Sequence, residues 1–307
     1  MTATRGETVV SAQIGVIRGG VAPVEHVETP APEGVRLAIQ LESPVRDKLL
    51  GFVETNRRTS PLEVMAEKAY LGQSLALCGA GPSLADYRLA GVDHVFACNS
   101  ALPWLIAHGV TVSAAIGMDQ SPGLLREWAD PPDVPYFIAS SCDPALVAHL
   151  KAHGRRVVFF HNAVGLPDEF NYYCRTWPPT MMVGEGFSVV SRAIGLAQYL
   201  GFRRVDVYGA DCAFGPNDVT HANGESAVAA YDNPLIMRGD VDGREWRTRP
   251  DMLMDAVHLA RRVAASAGRI RLIGDTLPVA LIGQDESFLD DVCRRLTPEE
   301  ASAVTVI

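Results

Sequence analysis

A chain of 307 residues with 48% hydrophobic and 21% charged residues can bury a sizeable core, which excludes disorder over most of its length. Its 27 glycines and 20 prolines follow no three-residue period, so collagen-like and low-complexity classes drop out. A net charge of −9 and a pI of about 5.4 argue against a protein that holds long nucleic acid by phosphate neutralisation, while small anionic ligands remain open to it.

All but three of the 27 basic residues are arginine, a residue suited to bidentate phosphate contacts, although arginine richness equally follows from base composition. The six cysteines are scattered without a CxxC pair, so a reduced, cytoplasmic chain is expected. The first twenty residues lack the continuous apolar core of a signal peptide. The uncharged stretch from Val95 to Met118 is broken by Asn99, Pro103 and Gly109, and reads as buried α/β core rather than a membrane span. No membrane partner is expected, and a homo-oligomer is left open.

In chain order, residues 1–70 read as an N-terminal arm with lead-in helices, including a short strand RLAIQL and the Ser-Pro helix starts SPVRDKLLGFVETNRR and SPLEVMAEKAYLG. Residues 71–285 form the main domain. Within it SLALCG, HVFACN, TVSAAIG, PYFIAS, RRVVFFHN, RRVDVYGAD and RIRLIG read as strands. Helices are expected around 84–89, 102–108, 124–128, 144–153, 188–200 and 252–267. Such alternation predicts a Rossmann-like α/β fold, doubly wound around a mainly parallel sheet, because parallel strands need crossover connections. Residues 286–307 read as a C-terminal amphipathic helix or tail.

In that architecture ligands bind at the carboxyl ends of the strands. There the sequence places GAGPSL after the first strand, Asn99 and Ser100 after the second, Asp119 after the third, His161 and Asn162 after the fifth, and Asp211 after the sixth. Each is an ordinary turn residue when taken alone. Together on one rim they describe a site. In Gly79-Ala80-Gly81-Pro82-Ser83, glycines permit close backbone approach to a ligand, Pro82 fits a first helical turn and Ser83 can cap, so the turn is a candidate phosphate cradle. Neither GxGxxG nor GxxxxGK[ST] is present.

Gly184 and Gly186 precede a second helix expected to start near Ser188, with Arg192 one turn in as a candidate phosphate contact or an exposed helical arginine. His221, in the loop GPNDVTHANGE, is an acid, base or metal-ligand candidate, or a surface residue. Asp119 and Asp211 together suit a Mg²⁺ ion carried with substrate phosphates, or one of them accepts hydrogen bonds from substrate, and Asp119 alternatively caps the next helix.

Three blocks in order, GAGPSL with ACNSAL and GMDQSP, then GEGFSVVSRAIGLAQYLGFRRVDVYGADCAF, then THANG, resemble the 6-hydroxymethylpterin diphosphokinase MptE-like family, which also includes domains of motility accessory factors. The resemblance extends over roughly residues 70 to 282. It implies a transferase that moves pyrophosphate from ATP, with Mg²⁺, to the hydroxymethyl group of a small-molecule acceptor. By it the Gly79–Ser83 turn and Ser188 bind phosphate, Asp119 and Asp211 orient metal or substrate, and His221 assists proton transfer. The Gly-x-Gly-Pro-Ser turn and Cys-Asn pair are also similar to bacterial lipooligosaccharide sialyltransferases, which implies nucleotide contacts from Gly79, Gly81, Pro82, Ser83, Asn99 and Ser188. A glycosyltransferase using a nucleotide sugar is therefore the alternative activity, and a non-catalytic nucleotide-binding module is the third.

Overall fold

The structure is a computed structural model that describes residues 43–59, 68–86, 88–89, 91–162, 172–173, 175, 182–183, 186–224 and 236–284. The expected N-terminal arm with RLAIQL, most of SPLEVMAEKAYLG, most of the segment between His161 and Ser188, Gly184 and the C-terminal tail lie outside the described residues.

Helix α1 (Ser43–Thr59) leads in. Strands β1 (Ser74–Cys78), β2 (His94–Cys98), β3 (Ala114–Gly117), β4 (Tyr136–Ala139) and β5 (Val157–Asn162) follow, and then the two-residue strand β6 (Met182–Val183). The chain returns through α5 (Val189–Tyr199) to β7 (Arg204–Tyr208), and after a hairpin of β8 (Met237–Val241) and β9 (Arg244–Thr248) it reaches α6 (Pro250–Ala265), β10 (Ile270–Leu272) and α7 (Leu277–Ala280). Short helices α2 (Ala101–Ala107), α3 (Gly123–Glu127) and α4 (Pro144–Ala152) connect the early strands.

The main sheet runs β10-β7-β1-β2-β3-β4-β5-β6, and each neighbouring pair is parallel. Buried runs explain this. SLALC, AAIG, YFIA and VVFFHN are buried at every position, the pattern of strands covered on both faces. The expected α/β class and strand set are therefore present. The chain winds outward from β1 to β6 and comes back to the other side of β1 at β7, so the winding reverses between β1 and β7. Local signals set the helix starts: Asp143 caps α4 ahead of Pro144, and Ser188 caps α5 by accepting the Ser191 amide at 3.2 Å.

Several elements differ from the sequence reading, β6 and α7 among them as additions. The helix expected at 84–89 is a 3₁₀ turn over Pro82–Asp86 only. The β8–β9 hairpin is additional; Asp242 and Gly243, both at positive φ (52° and 75°), form its two-residue turn, and β8 alternates buried and exposed side chains. A second small core lies there, built from Ala213, Met237, Trp246, Leu253 and Leu277 under the segment that follows β7.

Candidate functional site

The crevice at the reversal between β1 and β7 is formed by two turns that interlock. Gly79 donates its amide to the Tyr208 carbonyl at 2.8 Å, and Gly81 donates to Gly209 at 2.9 Å. A Cβ on Gly79 would stand 2.5 Å from the Gly209 oxygen and 2.7 Å from Val190 Cγ2, and one on Gly81 would collide with the Asp211 carboxylate. The glycines are thus required by the β7 turn and by α5. Packing within the fold is by itself enough to require glycine at both positions.

Ser83 does not cap a helix. Its amide donates to both Asp211 oxygens at 3.2 and 3.3 Å, and its hydroxyl donates to Asp211 Oδ2 at 2.9 Å. Asp211 therefore occupies the donor set that the sequence assigned to a phosphate. Burial pushes its carboxyl up to about 6, although the Ser83 hydroxyl and amide hold it lower than burial alone would. Cys212, next in the chain, has positive φ (51°), and its carbonyl accepts the Thr248 hydroxyl at 2.7 Å. The second core is tied there to the rim.

The start of α5 shows the same arrangement. Asp255 of α6, 2% exposed, accepts the amides of Phe187 at 2.8 Å and Ser188 at 3.2 Å through Oδ1. Its other oxygen faces the Cys212 thiol at 4.0 Å. Gly186, at φ 84°, passes so close that a Cβ would meet Ser191. Two helix-start donor sets on this rim are thus each satisfied by a carboxylate of the chain itself. Sequence reading missed Asp255. Its signal was an acid set among Leu253, Ala256, Leu259 and Ala260, the apolar face of α6.

The loop that carries His221 is tied to the crevice at the next residue. Ala222 donates its amide to Ala80 at 2.8 Å, and His221 Nδ1 and the Thr220 hydroxyl share a 2.9 Å hydrogen bond. Pro82 packs against Gly215 of the same loop. The structure accordingly brings together Gly79, Gly81, Pro82, Ser83, Gly186, Ser188, Asp211 and His221.

Asn99 and Ser100 stand one strand away. At φ 43°, Asn99 accepts the Met118 amide on Oδ1 at 3.1 Å and the Trp128 indole N–H on its carbonyl at 3.2 Å, so it locks the end of β2 to β3. Ser100 occupies the N-cap position of α2 without a side-chain cap bond. Asp119 lies beyond β3 and accepts the Ser121 amide at 2.9 Å in a local turn rather than capping α3. Three strand spacings, about 14 Å, separate β3 from β7. With Asp211 turned onto Ser83 and Asp119 onto Ser121, the two carboxylates do not fit a shared Mg²⁺. Among the described residues no group of three His, Cys, Asp or Glu side chains is placed to hold a metal ion, and none of their helices is long and apolar enough to cross a membrane.

Among solved structures the fold is similar to the MAf glycosyltransferase of Magnetospirillum magneticum AMB-1, at TM-score 0.55 and 14% identity over 83% of this chain. The chain spans 42% of that protein's length. The monofunctional α-2,3-sialyltransferase Cst-I of Campylobacter jejuni aligns at TM-score 0.39 and 14% identity, over 70% of this chain and 80% of its own. A mammalian sialyltransferase aligns at 0.40 and 13%, over 76% and 86%. No curated protein matches the chain. A family model described as 6-hydroxymethylpterin diphosphokinase MptE-like matches residues 49–217, which run from the lead-in helix through β7 and the Asp211 turn, and the chain belongs to that family.

Proposed function

We propose that the protein is a nucleotide-dependent transferase that moves pyrophosphate from ATP to the hydroxymethyl group of a reduced pterin. The observation that carries this reading is the Ser83–Asp211 pair at the winding reversal. Its amide and hydroxyl donors face the rim in the position where doubly wound folds receive phosphate. An entering phosphate takes over these donors and releases Asp211.

The reaction then needs the acceptor's oxygen to attack the β-phosphorus of ATP while the bond to the bridging oxygen of the α-phosphate breaks and AMP leaves. The hydroxyl proton needs a base. Burial raises the Asp211 carboxyl, which favours proton uptake near neutrality, so the released Asp211 is assigned this role, with His221, in the loop that Ala222 ties to Ala80, for proton transfer. Gly79, Gly81, Pro82 and Ser188 shape the phosphate floor, and Asn99 and Ser100 border it toward β2. Asp119 is assigned substrate orientation at the β3 end. The magnesium expected with ATP has no Asp119–Asp211 cage here, and no step is assigned to it.

Incubation with ATP and a hydroxymethyl dihydropterin, followed by ³¹P NMR, tests the reading. AMP and a pterin pyrophosphate are expected. Release of a nucleoside phosphate from a nucleotide sugar with no AMP from ATP would replace this activity by glycosyl transfer, the activity for which the MAf protein is named.

A further inference from the structure

The ends of β4 and β5 lie on the same carboxyl rim, three and four strand spacings from β1, about 14 and 19 Å. There the chain buries polar side chains: Ser140 is 0% exposed, Ser141 1%, His161 1% and Asn162 3%. Ser140 Oγ and His161 Nδ1 share a 2.7 Å hydrogen bond, and Tyr173 stacks on the imidazole with ring centroids 4.2 Å apart. From α1, the buried Asn56 Nδ2 donates to the carbonyls of Ser140 at 3.0 Å and Cys142 at 2.9 Å, which fixes the loop after β4.

Three polar atoms in this cluster have no such employment, one of them Asn56 Oδ1 on α1. Asn162 Oδ1 and Ser141 Oγ are buried without a hydrogen-bond partner among the described residues. Strand pairing sets Ala139 beside Phe160, and the Ser140 amide donates to the Phe160 carbonyl, so Ser141 and Asn162 are the next positions along adjacent chains. Buried polar atoms in folded proteins are almost always bonded, and those left open call for a partner. Asn56, Ser140, Ser141, His161, Asn162 and Tyr173 include no carboxylate, lysine or arginine.

We propose that the β4–β5 end is a specificity subsite for a flat heterocycle carrying an amino group next to a ring nitrogen. A carboxamide presents one acceptor and one donor side by side. Asn162 Oδ1 accepts from the amino group, Nδ2 donates to the ring nitrogen, and the Ser141 hydroxyl adds a third contact. This inference rests on the proposed function for the source of the ring. An amino-bearing nucleobase on a nucleotide stretched along the rim from β1 presents that edge, and so does a pterin.

Calorimetric titrations of the full chain with two matched pairs, ATP against ITP and pterin against lumazine, test it. Each pair differs by the amino group. The amino-bearing member of at least one pair is expected to bind about ten-fold or more tightly than its oxo counterpart. Asn162→Leu, similar in shape, brings that ratio close to one while thermal stability is unchanged or rises, because no protein bond is lost. Ser141→Ala weakens the same ligand by a smaller factor and serves if Asn162→Leu does not fold. A preference in the first pair identifies a nucleobase, and in the second a pterin.

Equal affinities within both pairs, absence of binding by all four ligands, or a ratio that survives Asn162→Leu, would overturn the subsite and leave the carboxamide serving water or packing only. ATP and ITP binding alike, with pterin and lumazine also alike, would remove the subsite and leave the phosphate floor intact. Pterin preference without any nucleotide binding would do the reverse.

Discussion

Asp211 accepts both the amide and the hydroxyl of Ser83, so a carboxylate from the end of β7 closes the turn that follows β1. Two residues 128 apart in sequence, following strands adjacent in the sheet, are joined at the rim by this contact. The crevice of the ligand-free protein therefore carries its own internal anion.

Stability should respond to pH through this residue. An unfolded aspartate titrates near about 3.9, whereas burial raises the folded Asp211 to about 6. The folded chain thus holds the proton more tightly across that interval. Its contribution to stability is complete below the unfolded value and is lost as pH rises through 6, at a cost on the order of 3 kcal/mol. Urea unfolding at a series of pH values from 4 to 7 should show this slope in the wild type and a flatter one in Asp211→Asn. Parallel curves for the two proteins would contradict it.

Gly79→Ala should destabilise by about 1–3 kcal/mol or more, since its methyl group would press on the Gly209 carbonyl and Val190. Gly51→Ala is the matched opposite. Gly51 lies inside α1, and a methyl group added there would meet nothing within 4 Å, so alanine should stabilise by about 0.5–1 kcal/mol. Chemical denaturation of the two variants measures both signs.

Asp255→Ala should cost about 2–4 kcal/mol, because it strips a buried carboxylate from two amides at the start of α5. Asp255→Asn, which keeps an acceptor oxygen, should recover part of that loss. Hydrogen exchange at Phe187 and Ser188 should quicken in the alanine variant while β1 stays protected.

Burial pushes the thiols of Cys78, Cys98, Cys142 and Cys212 upward, so none supplies thiolate at neutral pH. Site-resolved alkylation of the native protein should leave these four unmodified and label all four after unfolding. Labelling of Cys212 in the native state would show that the segment after β7 opens.

Legibility of the sequence followed burial. Runs such as VVFFHN and SLALC declare parallel core strands, and Ser188 and Asp143 announce their helices, so the sheet and most helix starts could be read directly. The β8–β9 hairpin was obscured because MRGDV and REWRT carry charges on their exposed positions and bury only small or scattered apolar groups, although Asp242-Gly243 was a turn signal. The rim was legible as a set of strand ends, but not in its pairings. Nothing in residue order says that Asp211 turns onto Ser83, that Asp255 fills the α5 start, or that Asp119 is three strands removed from Asp211. Those are tertiary facts set by strand order.

A crystal structure with a nonhydrolysable ATP analogue would show where phosphate binds on this rim. Terminal phosphates should bond to the Ser83 amide and hydroxyl, with the Asp211 carboxylate moved off them. Phosphates bound away from the Gly79–Ser83 turn, with the Ser83–Asp211 bonds intact, would contradict it.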